Sequence, residues 1–153
     1  AAMAGGLGML CAGDIVVVTE DCKFALTETT LGIPPAQIAP FVSQRIGLAK
    51  ARRIMLTAAR FTGKEAHEMG LADFVAKDAD DLKVIEADIK KGVLKCAPGA
   101  NAVTKEIVLA TRHLTRKEMI EFAAKGFAER MLSDEGKEGI SSFIEKRKPK
   151  WSK

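Results

Sequence analysis

A chain of 153 residues with 47% hydrophobic content has the size of one domain with a sizeable core, and 24 Lys and Arg set against 20 Asp and Glu leave a formal charge of only +4. No apolar run approaches the roughly 20 residues that span a bilayer, and the first residues lack the charged start and long apolar stretch of a secretory signal, so a cytoplasmic protein without a membrane partner is expected. Cys11, Cys22 and Cys96 are odd in number and widely spaced, which fits neither a disulfide framework nor a zinc site and predicts reduced, mostly buried thiols.

In chain order, residues 5–13 read as a turn feeding a short helix, and Ile15-Val16-Val17-Val18 as a strand buried on both faces, because a β-branched run of that length is usually covered. Residues 23–26 form a second short strand. Pro34, Pro35 and Pro40 punctuate the loop after Glu28, and a helix is predicted from about Ala36 to Ile46 with Pro40 in its first turns. Gly47 breaks it. Residues 48–59 make the next helix, Thr62-Gly63-Lys64-Glu65 starts a helix over 65–69 that Gly70 stops, and residues 71–76 give a last short strand.

From Asp78 onward only helices are expected, over 81–94, 100–111 after the Pro98-Gly99 break, from the Thr115-Arg116-Lys117-Glu118 capping box, and from Asp134 to about Lys148. The third of these carries Ile120, Ala123, Phe127 and Met131 at helical spacing, a stripe that should be buried. The reading is therefore α/β over residues 1–77 and helical over 78–153. Two or three short strands are too little sheet to stand alone in water, so neighbouring strands are expected from residues upstream or from another chain.

Ala4-Gly5-Gly6-Leu7-Gly8 can expose backbone N–H groups at a helix start, suited to negative charge on a carbonyl oxygen, although the same glycines also suit close packing of a turn. A dinucleotide site is disfavoured because Cys11 stands where a third glycine is needed and no strand is read before the turn. Glu28, in an apolar setting that disfavours a carboxylate's charged form, is the candidate acid–base group, the alternative being an exposed loop residue. His67 and His113 have no second ligand at metal spacing, so no metal is expected. The basic tail Lys146-Arg147-Lys148-Pro149-Lys150 suits a phosphorylated ligand better than nucleic acid. Arg52, Arg53 and Arg60 are either solvated or available to an anionic substrate group.

The glycine turn, Asp14 before the strand, Glu28 in Thr27-Glu28-Thr29-Thr30-Leu31-Gly32-Ile33-Pro34-Pro35, and the tail Gly139-Ile140-Ser141-Ser142-Phe143-Ile144-Glu145-Lys146-Arg147 together resemble the crotonase, or enoyl-CoA hydratase/isomerase, superfamily over the whole chain. The resemblance implies a crotonase (ClpP-like) α/β fold lacking its N-terminal half, with a C-terminal helical region that builds a homotrimer or a dimer of trimers. It implies that Gly5 gives one of two oxyanion amides and that Glu28 is the second of the family's two glutamates. Gly8 stands where the first glutamate would be. Residues 27–42 and 51–61 are most similar to bacterial methylglutaconyl-CoA and isohexenylglutaconyl-CoA hydratases. The implied reaction is hydration of a branched, glutaconyl-type 2-enoyl-CoA, with coenzyme A as part of the substrate and no separate cofactor. Lys146 and Phe127 are the implied phosphate and adenine contacts, their plain alternatives being a solvated charge and a core aromatic. Double-bond isomerisation by one carboxylate, and an inactive fragment or assembly module, are the competing readings.

Overall fold

The computed structural model describes residues 1–152, which divide into two compact units, Ala1–Asp88 and a second from Ile89 onward. In the first unit the strands are β1 (Ala2–Met3), β2 (Val17–Thr19), β3 (Lys23–Ala25), β4 (Arg60–Thr62) and β5 (Phe74–Ala76), and the helices are α1 (Gly5–Cys11), α2 (Ala39–Ile46), α3 (Leu48–Leu56) and α4 (Gly63–Glu68). One sheet runs β1-β3-β4, with β1 and β3 parallel and β3 and β4 antiparallel; β2 and β5 pair in parallel as a second sheet. The core is led by Phe24, Leu7, Leu26, Ile54, Leu71 and Val42. Phe24 and Phe61 stack across β3 and β4 with ring centroids 5.4 Å apart, an arrangement worth about 0.5–1.5 kcal/mol beyond area burial.

Two strands, β1 and β4, were not foreseen, and the others are shorter than the apolar runs that announce them. Ile15 is 46% exposed and lies outside β2. Beside it, the Val16 N–H donates to Asp73 Oδ2 at 2.7 Å instead of to a strand. Leu71 and Ala72 likewise precede β5, because their N–H groups donate to Ala66 O at 2.8 and 3.2 Å and wrap the end of α4. Helix α3 stops at Leu56, where Thr57 Oγ1 donates back to Arg53 O and Ala58 turns left-handed at φ 50°. Gly47 does separate α2 from α3, at φ 78° and ψ 158°, a conformation that only glycine adopts easily.

A longer helix, α5 (Ala79–Leu94), runs across the division at Asp88 and buries no residue. The second unit continues with α6 (Pro98–Ala110), α7 (Arg116–Leu132) and α8 (Asp134–Ile144). The Thr115–Glu118 capping box that starts α7 forms as the sequence predicts. The stripe on α7 is not buried in the single chain: Ile120, Phe127 and Met131 are 63%, 67% and 43% exposed. Helices α6 to α8 fully bury only Ala110 and Ser142. Among the described residues, no helix is long and apolar enough to cross a membrane.

Candidate active site

Because β1 and β3 are adjacent and parallel, with Met3 opposite Ala25, the chain leaves both strands at the same edge of the sheet. The Ala4 N–H extends the ladder by donating to Ala25 O at 3.1 Å. Strand β1 leads through Ala4 into Gly5, the first residue of α1; strand β3 leads through Leu26 and Thr27 into Glu28, which opens a single turn of 3-10 helix (Glu28–Leu31). Open parallel sheets bind ligands at this carboxyl edge. Gly5 and Glu28, far apart in sequence, line one cleft of about 220 Å³ with Pro34, Pro35, Gln37 and Ile38.

Backbone geometry fixes both groups. Ala4 holds φ 46° and ψ −123°, a conformation that L-residues avoid, and this kink starts α1 at Gly5. The Leu7 and Gly8 N–H groups both donate to Ala4 O, at 3.0 and 3.3 Å, while those of Gly5 and Gly6 meet no acceptor among the described residues. A Cβ added at Gly5 or Gly6 would meet nothing within 4 Å. Close packing therefore does not account for these two glycines, but it does account for Gly8, whose Cβ would collide with the side chain of Ile38. Glu28 is held by its turn: Thr30 Oγ1 donates to Thr27 O at 2.7 Å, Thr29 Oγ1 to Met55 O at 3.0 Å, and the Ile33 N–H to Glu28 O at 3.3 Å. Its Oε2 is buried and accepts no hydrogen bond, in a cleft whose walls are mainly proline, alanine and isoleucine. A buried carboxylate oxygen without a donor is costly in a purely structural role.

The strand before the glycine turn, β1, removes one ground for setting aside a dinucleotide site. The other stands: where such a site needs an open third glycine, Cys11 is 7% exposed and part of the core, and burial pushes its thiol up to about 11 against the lowering charge of Arg45. The expectation of mostly buried thiols holds for Cys11 alone, since Cys22 is half-buried and Cys96 exposed; all three are free. His67 Nδ1 lies 3.1 Å from Ala72 O. Among the described residues no three metal-ligating side chains converge.

Phe127 and Lys146 belong to the second unit. Phe127 is a wall of an apolar groove of about 400 Å³ with Val103, Ile107, Met131, Ile140 and Trp151, and is not a core residue of the single chain. Lys146 follows α8 in a left-handed turn at φ 54°, its N–H donating to Phe143 O at 3.2 Å and its side chain exposed. The neighbouring Arg147 donates to Glu138 at 2.6 and 3.0 Å and to Glu145 at 2.5 Å. Of the tail's basic residues, Arg147 is thus committed to carboxylates within this unit. Arg53 and Arg60 lie on a second surface concavity with Lys50, Glu65 and Glu68, apart from the cleft that holds Glu28. Neither the Ala4 kink nor Ile38 was singled out in the sequence, where nothing marks an alanine for positive φ or pairs an isoleucine with a distant glycine.

The chain belongs to the enoyl-CoA hydratase/isomerase family, whose pattern it matches over residues 1–153. Among solved structures it is similar to Pseudomonas aeruginosa AtuE, at 46% identity and a TM-score of 0.96 over 99% of this chain and 58% of that one. It is also similar to an enoyl-CoA hydratase/isomerase from Marinobacter aquaeolei, at 39% identity and a TM-score of 0.95 over 99% and 58%. A peroxisomal Delta(3,5)-Delta(2,4)-dienoyl-CoA isomerase of Arabidopsis thaliana is 30% identical over 100% of this chain and 55% of its own length. The chain thus spans somewhat more than half the length of each of these three relatives.

Proposed function

We propose that the protein carrying this chain hydrates a 2-enoyl-CoA thioester, with the Gly5 N–H holding the thioester oxygen and Glu28 managing water and proton. The observation that supports this reading is the shared cleft: a helix-start N–H without an acceptor and a carboxylate whose Oε2 has no partner, brought together by the parallel pairing of β1 with β3. An N–H aimed at a carbonyl oxygen gains strength as that oxygen takes on negative charge. With Gly8 carrying no side chain, one carboxylate must serve both steps. Glu28 orients a water whose oxygen adds to the β-carbon and whose proton is delivered to the α-carbon, so the two additions balance to one water. A branched, glutaconyl-type acyl group is the substrate we infer, on the similarity of residues 27–42 and 51–61 to hydratases of that kind.

Lys146 is the proposed phosphate contact and Phe127 the proposed wall for the nucleotide end of coenzyme A, supported by an ammonium without a described carboxylate partner and an aromatic facing a groove. The exposed Ile120, Phe127 and Met131 support assembly into a homotrimer or a dimer of trimers. The lone carboxylate also fits a second reaction, in which Glu28 moves a proton between the carbons flanking a double bond. Following both hydration and double-bond migration on the same 3-enoyl- and 2-enoyl-CoA pair separates them: the proposal requires water addition to the 2-enoyl ester, and migration without hydration assigns the protein to the isomerases.

A further inference from the structure

Gly5 and Gly8 lie three residues apart on α1 and so on one face of that helix. A side chain at position 8 would run into Ile38, which lines the same cleft as Gly5. A Cβ there would stand 2.6 Å from Ile38 Cβ and closer still to Ile38 Cγ2, far inside van der Waals contact. Ile38 is not free to move aside. It is the N-cap of α2, its carbonyl accepts the Val42 N–H at 3.1 Å, Val42 is fully buried, and the Ile38 side chain packs against the core while also lining the cleft.

We propose that Ile38 is the specificity-determining residue of this cleft: seated over Gly8, it puts an apolar surface where a second acidic side chain would otherwise project, and it is the wall against which the acyl group is sorted beside Glu28. The consequence is chemical as well as steric. A site with one carboxylate and an isoleucine wall repels an anionic acyl group less than a site with two carboxylates would, and favours acyl groups that offer an apolar branch to the wall. This inference rests on the enoyl-CoA reading above.

Two measurements on the intact protein test it. The first is a thermal double-mutant cycle of Gly8→Ala, Ile38→Ala and the double variant, which needs no substrate. Gly8→Ala should lower Tm in the wild-type background and be tolerated once Ile38 is trimmed, a coupling of about 4 °C or more for two residues in contact; additive changes overturn the pairing. The second is kcat/KM for glutaconyl-CoA and its branched counterpart 3-methylglutaconyl-CoA. Because one methyl group in a hydrophobic pocket is worth about 10- to 200-fold, Ile38→Ala should shift the ratio of the two by at least about tenfold toward the unbranched ester, with Glu28→Gln depressing both alike. A ratio unchanged in an active Ile38→Ala variant overturns the role of Ile38 and leaves the enzyme reading intact. Wild-type protein that turns over neither ester overturns the enzyme reading and the specificity role with it, while the thermal cycle still decides whether Ile38 and Gly8 are a matched pair.

Discussion

Arg45 and Asp73, 28 residues apart, form an ion pair that ties together four segments around the site. From α2, the Arg45 guanidinium also donates to Leu71 O at 3.0 Å and to Gly13 O at 3.2 Å, just past the end of α1. The same Asp73 oxygen accepts the Val16 N–H at the start of β2. The helix that carries Gly5 and the helix that carries Ile38 are thereby fastened to β2 and to the approach to β5.

Asp73→Asn should therefore destabilise the fold. The Arg45 side chain is 15% exposed and that of Asp73 40%, so solvent screening keeps the loss well below that of a fully buried pair, at about 2 kcal/mol. At this chain length that is a fall of about 4–8 °C in Tm. A thermal melt followed by circular dichroism checks it, and a Tm within 1 °C or so of wild type would mean that the backbone contacts of Arg45 suffice.

Ala4 offers a stability change of the opposite sign. Its φ of 46° costs an L-residue about 1–2 kcal/mol, against about 0.4–1 kcal/mol for the extra freedom a glycine has in the unfolded chain. Ala4→Gly should raise stability by about 0.5–1 kcal/mol in a urea titration with an unchanged m-value. A destabilised variant would show that the alanine methyl makes a contact that outweighs the strain.

Local signals made most of the helices legible and left the sheet obscure. The Thr62 and Thr115 capping boxes and the Gly47 break are short-range chemistry and appear where the sequence puts them, whereas the helix expected from Ala36 starts at Ala39, with Ile38 as its N-cap and Pro40 in its first turn. Strand β1 is two residues long and β4 three, both defined by partners elsewhere in the chain rather than by their own pattern. The β-branched run at 15–18 announced a strand, but a side chain at Asp73 took the Val16 N–H and moved its start. Of the residues that line the cleft, Gly5 and Glu28 stand in motifs that single them out in the sequence, while Ile38 emerges only when α2 is packed on α1. The α7 stripe is exposed despite its helical spacing, because that spacing reports amphipathicity, not what covers the apolar face.

The tail of the second unit should be acid-labile. Donation from Arg147, with help from the Lys150 N–H, holds Glu138 down to about 2. The folded state thus binds that proton less readily than the unfolded chain, whose carboxylate titrates at about 4.3. Between those values the unfolded state carries more protons, so stability rises with pH; the contribution is complete above the unfolded value and is lost as pH falls toward 2. Trp151, the only tryptophan, reports on this region because its Nε1 donates to Lys95 O at 3.1 Å. Its fluorescence should change over that acid window, and Glu138→Gln should remove this component of the pH dependence. An unchanged acid transition in the Gln variant would place the controlling carboxylate elsewhere.

The central claim is that Glu28 carries the proton chemistry, and its most direct test is single-turnover hydration of a 2-enoyl-CoA by the intact protein and by its Glu28→Gln variant, with the affinity for a non-reactive acyl-CoA measured alongside. The amide keeps the size of the side chain but cannot act as an acid or base near neutral pH, so the rate should fall by about 10²- to 10⁴-fold, with acyl-CoA affinity within about threefold of wild type, since the buried Oε2 makes no described hydrogen bond that the fold depends on. A Gln variant that hydrates the ester at the wild-type rate would contradict the account.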